Sequence, residues 1–217
     1  MGESQLDAFA AYVIGKTIDE VKGIAVNEEG YASADDLTSS VTIHVGDFIS
    51  GVEKAVLNAQ DMGAASIDTL GLAVSSEISD SKEATTEADG LAQVNSTYAV
   101  ITKDASGKIT SCYVDMTQSK VNFDTKGVIT SDLTVPTQTK QELGDAYGMK
   151  KASSIGKEWF EQSNAFSEYV KGKTIKEVTG IAIDETGLAA DADLISSVTV
   201  HVAPFIEIVE KAVTNAK

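Results

Sequence analysis

The chain has 217 residues, 42% of them hydrophobic, which is enough for a real core and argues against global disorder. Its formal charge is −16 at pH 7 and all 17 basic residues are lysine, so it repels nucleic acid and anionic membrane surfaces and lacks the planar fork that grips phosphate bidentately. The single cysteine, Cys112, excludes an intramolecular disulfide and a CxxC zinc site; in KITSCYVDM it shares a strand face with Val114 and Met116 and reads as a small buried hydrophobe.

The opening MGESQLDAFAAY enters partway through an amphipathic pattern. A capping box, TIDE at Thr17–Glu20, starts a short helix, and the turn NEEG leads to DLTSSVTIHV. There SVTIHV alternates with β-branched residues and predicts a short strand, and GDFISGVEKAVLNA predicts a closing helix. TLGLAVSSEIS (69–79) reads as a strand, KEATTEADGLA (82–92) as an acidic loop, and residues 96–118 as a hairpin around Asp104-Ala-Ser-Gly107. A weaker strand pair is expected over 119–134 around Lys126-Gly127. A capping box at Thr139–Glu142 opens a short helix ending near Gly148. Ile155, Trp159, Phe166 and Val170 then recur at helical spacing, predicting a helix from Ser154 to about residue 170.

From there the chain repeats itself. Residues 165–217 align without a gap to residues 8–60 at about three identities in five, far above chance. TIKE at Thr174–Glu177, DETG, DLISSVTVHV and APFIEIVEKAVTNA restate the earlier wording, with Pro204 suited to the first helical turn. The expected organisation is a complete module over 66–217 and the helical back half of a preceding unit over 1–60, with a linker at 61–68. The half-unit carries apolar residues at Phe9, Val13, Ile24, Val41, Ile43, Phe48, Val52 and Val56, which require burial. It is therefore expected to pack on the opposite face of the 66–134 sheet or against a second chain, the latter giving a homodimer through residues 1–60.

Asp36, Ser39 and Thr42 form D-x-x-S-x-x-T, and Asp193, Ser196 and Thr199 repeat it. This pattern resembles the D-x-x-S-G-A-T motif of FMN-binding-domain proteins, the extracytoplasmic flavin carriers of bacterial envelopes. The order of hairpin, helices, motif and closing helix is also similar. The wording YVIGKTIDEVKGIAVNEEG…DLTSSVTIHVGDF further resembles repeat-bearing lipoproteins of clostridia. The resemblance implies an α+β fold, an antiparallel sheet with packed helices, and extracytoplasmic placement on a cell-surface lipoprotein. It also implies FMN as the cofactor and a motif threonine, Thr199 or Thr42, joined to flavin phosphate. The implied binding set is Asp193, Ser196, Ser197, Thr199 and His201, with Asp36, Ser39 and Thr42 in the first copy. Ser40 and Ser197 stand where the motif has glycine, and Val41 and Val198 where it has alanine, so close backbone approach to a phosphate is hindered.

Each of these residues also has a plain structural role open to it. Ser and Thr before a helix are ordinary caps, and Asp36 or Asp193 can close a turn. His44 and His201 belong to separate copies and do not make a metal site. Trp159 sits at core spacing, although an indole can stack on a flavin ring. GKT at 15–17 and 172–174 lacks the upstream glycine of a phosphate loop, and no nucleophile elbow or ordered triad is visible. No signal peptide, lipobox or membrane-spanning run is present, as in a chain cut inside a repeat, so a lipid anchor is expected outside this segment. Three readings follow: a non-catalytic extracytoplasmic binding module with an unassigned ligand, an FMN-carrying electron-transfer protein, or a structural surface protein with no small ligand.

Overall fold

A computed structural model describes residues 4–217, which divide into a first unit ending at Asp61 and a second running from Met62 to Lys217. The first unit is helical: α1 (Gln5–Val13), α2 (Ile18–Lys22), α3 (Asp35–Thr38) and α4 (Gly46–Leu57). The Thr17 capping box opens α2 as its sequence predicts, with the Thr17 hydroxyl and the Glu20 carboxylate each taking the other's backbone N–H. Its core is Phe9, Val21, Ile24, Leu37, Val41 and Val45.

The second unit is α+β. Its three-stranded antiparallel sheet has the order β1 (Thr69–Glu77), β2 (Gly90–Lys103), β3 (Ile109–Phe123). The β2–β3 turn follows the predicted chemistry. The Asp104 carboxylate accepts from the Ser106 and Lys108 N–H groups, and Gly107 supplies the left-handed conformation at φ 82°. Beyond β3 the expected second strand pair is reduced to a single bridge, Phe123 with Ile129. Then come α5 (Lys140–Leu143), a 3₁₀ turn (Gly144–Tyr147) ending at Gly148, α6 (Trp159–Val170), α7 (Ile175–Thr179) and α8 (Ala203–Asn215).

Strand alternation gives the sheet two unlike faces. Ala73, Ala99, Ile101, Cys112 and Val114 point inward and are buried with Phe166, Phe205 and Val209 of α6 and α8. Leu70, Leu72, Val74 and Val100 point outward and are exposed. α8 runs antiparallel to β1: the Lys211 ammonium donates to Val74 O and the Asn215 amide to Leu72 O, and the Lys217 N–H reaches Leu70 O. Small residues at Gly71 and Ala73 let the helix come this close.

Two further elements differ from their sequence expectation. α6 begins at Trp159 rather than Ser154, because Gly156 turns left-handed at φ 64° and Glu158 becomes the cap. The Glu158 carboxylate instead accepts the N–H groups of Met149 and Lys150, tying the preceding loop to the helix start. The SVTIHV and SVTVHV segments form no strand. Their backbone donors go elsewhere, Val45 N–H to Gly30 O and Val202 N–H to Gly187 O, leaving a single bridge in each, Tyr31 with His44 and Leu188 with His201. The alternating apolar residues there anchor a loop: Val41, Val45, Val198 and Val202 are buried without a sheet neighbour.

Among the described residues no helix is long and apolar enough to cross a membrane.

Candidate functional site

Each copy of the D-x-x-S-x-x-T segment is closed by a glutamine that sequence reading passed over. Gln162, one turn into α6 and fully buried, accepts on Oε1 from the Thr199 N–H at 2.7 Å, the Thr199 hydroxyl at 3.2 Å and the Val200 N–H at 3.2 Å. Its Nε2 donates to Ser153 Oγ and to Lys157 O. In the first unit Gln5 does the same for Thr42, accepting from its N–H at 2.6 Å and its hydroxyl at 3.1 Å, but in an exposed setting. The only advance signal is that Gln5 and Gln162 share one place in the repeat, just ahead of the stretch first aligned.

The remaining motif residues are held by local bonds. The Ser197 hydroxyl donates to Leu194 O and that of Ser40 to Leu37 O, and neither serine adopts the left-handed conformation open to the motif glycine. Asp36 accepts from the Tyr12 hydroxyl at 2.9 Å, which raises the Tyr12 phenol above its usual range. In the second copy the corresponding phenol, Tyr169, is raised first by burial and then by Asp191, while the Asp193 backbone N–H donates to the Asp191 carboxylate. Ser39, Ser196 and His201 are exposed; His44 stands edge-on to Tyr31 and its Nδ1 lies 3.8 Å from Asp47. The motif turn is therefore a clamped loop leading into α8. Trp159 is core, packed edge-to-face on Phe205 at 5.6 Å. Cys112 is fully buried, and burial pushes its thiol up to about 12, where it is unreactive.

A cleft of about 320 Å³ opens where the sheet continues past the first turns of α8. The inward sheet face is apolar beneath the helix and turns polar beyond it. Thr97 and Asn95 form the floor, Met116 and Ile208 the apolar walls, and Glu77 and Glu207 the rim. Asn95 is buried and already satisfied, donating to Asp80 at 2.6 Å and accepting from Gln93 at 2.8 Å. Thr97 as a residue is 93% removed from solvent, and it lines the cleft. Lys211, the cation among the described residues lining the rim, donates to Val74 O. The cleft thus suits a small neutral or cationic ligand with an apolar body and one hydrogen-bonding edge, and it repels a phosphate dianion. None of the motif residues lines it.

A second unforeseen group is Lys140. It is buried, and its ammonium lies 4.7 Å from the Tyr147 ring centroid and 5.1 Å from that of Trp159. Burial, then the neighbouring Lys120 charge, push the ammonium down to about 8, against a weaker pull from Asp115, whose own carboxyl is raised mainly by burial. The folded value lies below the ordinary 10.5, so the unfolded chain binds more protons between the two, and stability rises with pH across that window. Lys140→Met is expected to abolish that rise, as checked by urea unfolding midpoints at pH 7.5 and pH 10, leaving parallel curves for wild type and variant only if the lysine is ordinary.

No protein-family model and no solved structure matches this chain. A stretch of 41 residues is 61% identical to a protein named chlorophenol reductase from Desulfitobacterium hafniense, covering 19% of this chain and 12% of the length of that relative.

Proposed function

We propose that residues 62–217 are an extracytoplasmic, lipoprotein-derived binding module of FMN-binding-like type, preceded by a duplicated copy of its own helical back half. The module is non-catalytic and holds a small molecule noncovalently in the cleft between β1, β2 and α8. The observation that carries this reading is the cleft itself, where the polar Thr97 and Asn95, both more than nine-tenths buried as residues, meet the apolar Met116 and Ile208. The motif threonine supports it from the other side, because the Thr199 hydroxyl is engaged by the buried Gln162.

A second reading has its own support. The segment shared with a protein named a reductase, together with the D-x-x-S-x-x-T pattern, favours a flavin-carrying electron-transfer module. Riboflavin and FMN separate the two, because they differ by a phosphate. In fluorescence titrations the cleft is expected to take riboflavin at least as tightly as FMN, and Thr97→Val should weaken binding roughly three- to tenfold, the worth of one hydrogen bond. Unchanged affinity in Thr97→Val removes the cleft as the site. A gain of one FMN in intact mass after coexpression with a flavin transferase, lost in Thr199→Ala, decides for the carrier. No binding of either flavin, with no small molecule carried through native mass spectrometry, leaves a structural surface protein.

A further inference from the structure

α4 and α8 carry nearly the same residues and have opposite surroundings. In α8, Val209, Ala212 and Val213 lie against the inward face of β1–β3, at 0%, 0% and 7% exposure. The same places in α4 are Val52, Ala55 and Val56: the first is half-buried, the second exposed, and Val56 is 49% exposed. α8 has six buried side chains and α4 has none. The residue that fastens α8 to the β1 backbone, Asn215, also has its counterpart in Asn58, which is exposed. A surface helix under no packing constraint has no use for this arrangement, since apolar side chains left in water forgo their burial energy and an alanine set for close approach meets nothing.

We propose that this face of α4 is a docking surface for a three-stranded antiparallel sheet of the 69–123 type, supplied from outside residues 4–217. The chemistry of the partner follows from the pair that is already assembled. It presents small residues, with a glycine opposite Ala55, because at Gly71 any Cβ would run into the Ala212 carbonyl. It offers free edge carbonyls to Asn58, as Leu72 O does to Asn215. A sheet face like the outward one here, with Leu70 and Leu72, would hold the helix too far off for the alanine and the asparagine to reach. The inference rests on reading residues 4–60 as a copy of 161–217, and it is independent of any ligand.

The test joins a second copy of residues 62–160 ahead of residue 4, leaving the rest of the chain intact. The reporter is maleimide labelling of Val56→Cys, with Cys112 silent because it is buried. Asp47→Cys serves as the exposed reference and Val213→Cys as the buried one. In the present chain at high dilution Val56→Cys should label as fast as Asp47→Cys, and in the extended chain at least about tenfold more slowly, as closing a packed face demands. Asn58→Ala should lower the melting temperature of the extended chain and leave that of the present chain unchanged. Fast labelling in the extended chain overturns the proposal, whether the added copy of Cys112 stays silent or itself reacts. Slow labelling already in the dilute present chain overturns it in favour of cover from within the chain. Slow labelling that appears only with rising concentration overturns it in favour of a second copy.

Discussion

Gln162→Ala is expected to lower the thermal midpoint of the second unit by roughly 10 °C, from a loss of about 3–4 kcal/mol. The substitution leaves the Thr199 and Val200 N–H groups and the Lys157 carbonyl, all on half-buried residues, without the fully buried side chain that bonds them. An orphaned buried donor or acceptor costs about 1–3 kcal/mol, and the cavity left by the side chain adds to that. Gln5→Ala removes the same clamp from Thr42 in an exposed setting where water takes over, so its cost should stay near about 0.5–1 kcal/mol. Gln162→Glu should fall between the alanine variant and wild type, because its carboxylate still accepts from Thr199 but cannot donate to Lys157 O. Trp159, one turn earlier on α6, provides the fluorescence probe. Equal losses in Gln5→Ala and Gln162→Ala would show that burial is not what gives this residue its weight.

Gly71→Ala is the second large effect, expected to cost about 3 kcal/mol, at the upper end of what overpacking a core does. The added methyl would press on the carbonyl carbon and oxygen of Ala212, which are helix backbone and cannot rotate away. Relief requires α8 to lift from β1, which lengthens the Lys211 and Asn215 bonds to the strand carbonyls. Gly90→Ala makes the control. There the closest clash is with the ring of Phe123, a half-buried side chain that can swing outward, and the backbone N of Ala84 at 2.9 Å needs only a small loop shift, so the loss should be smaller than at Gly71, below about 2 kcal/mol. Urea midpoints measure both, and faster hydrogen exchange along α8 should accompany Gly71→Ala alone. Comparable midpoints for the two variants would mean that the helix is not seated on Gly71 as described.

Much of the fold was legible along the chain because its causes are local. The hairpin about Asp104–Gly107 declares itself through a side-chain acceptor and a glycine four residues long in all. The capping boxes at Thr17, Thr139 and Thr174 each need only the residue three places on. α4 and α8 announce themselves by apolar spacing, and so does the repeat by its wording. Alternation at SVTIHV misled for a physical reason. A strand exists only where a neighbour accepts its backbone bonds, and here Gln5 or Gln162, Gly30 or Gly187 take those donors first. The α6 start was displaced likewise, by the left-handed turn at Gly156 and by a glutamate whose carboxylate serves a loop eight and nine residues back.

The candidate site lies on the other side of that division. Thr97 reads as one polar residue in an alternating strand, and nothing near it in sequence distinguishes it from Thr102, whose hydroxyl pairs with those of Thr110 and Ser111. What singles it out is that α8 runs antiparallel to β1 and its first turns leave the inward face open at this level, so its side chain lines a cleft. By itself the sequence determined the three sheet strands in outline, most of the helices, the acidic all-lysine composition and the repeated wording. Only the tertiary structure decided which threonine lines a cleft and which is clamped, and that one of two similar helices is buried while the other is not. Hydrogen-bond partners and burial are set by chains meeting across more than a hundred residues, as Lys211 meets Val74, and local spacing carries no record of that meeting.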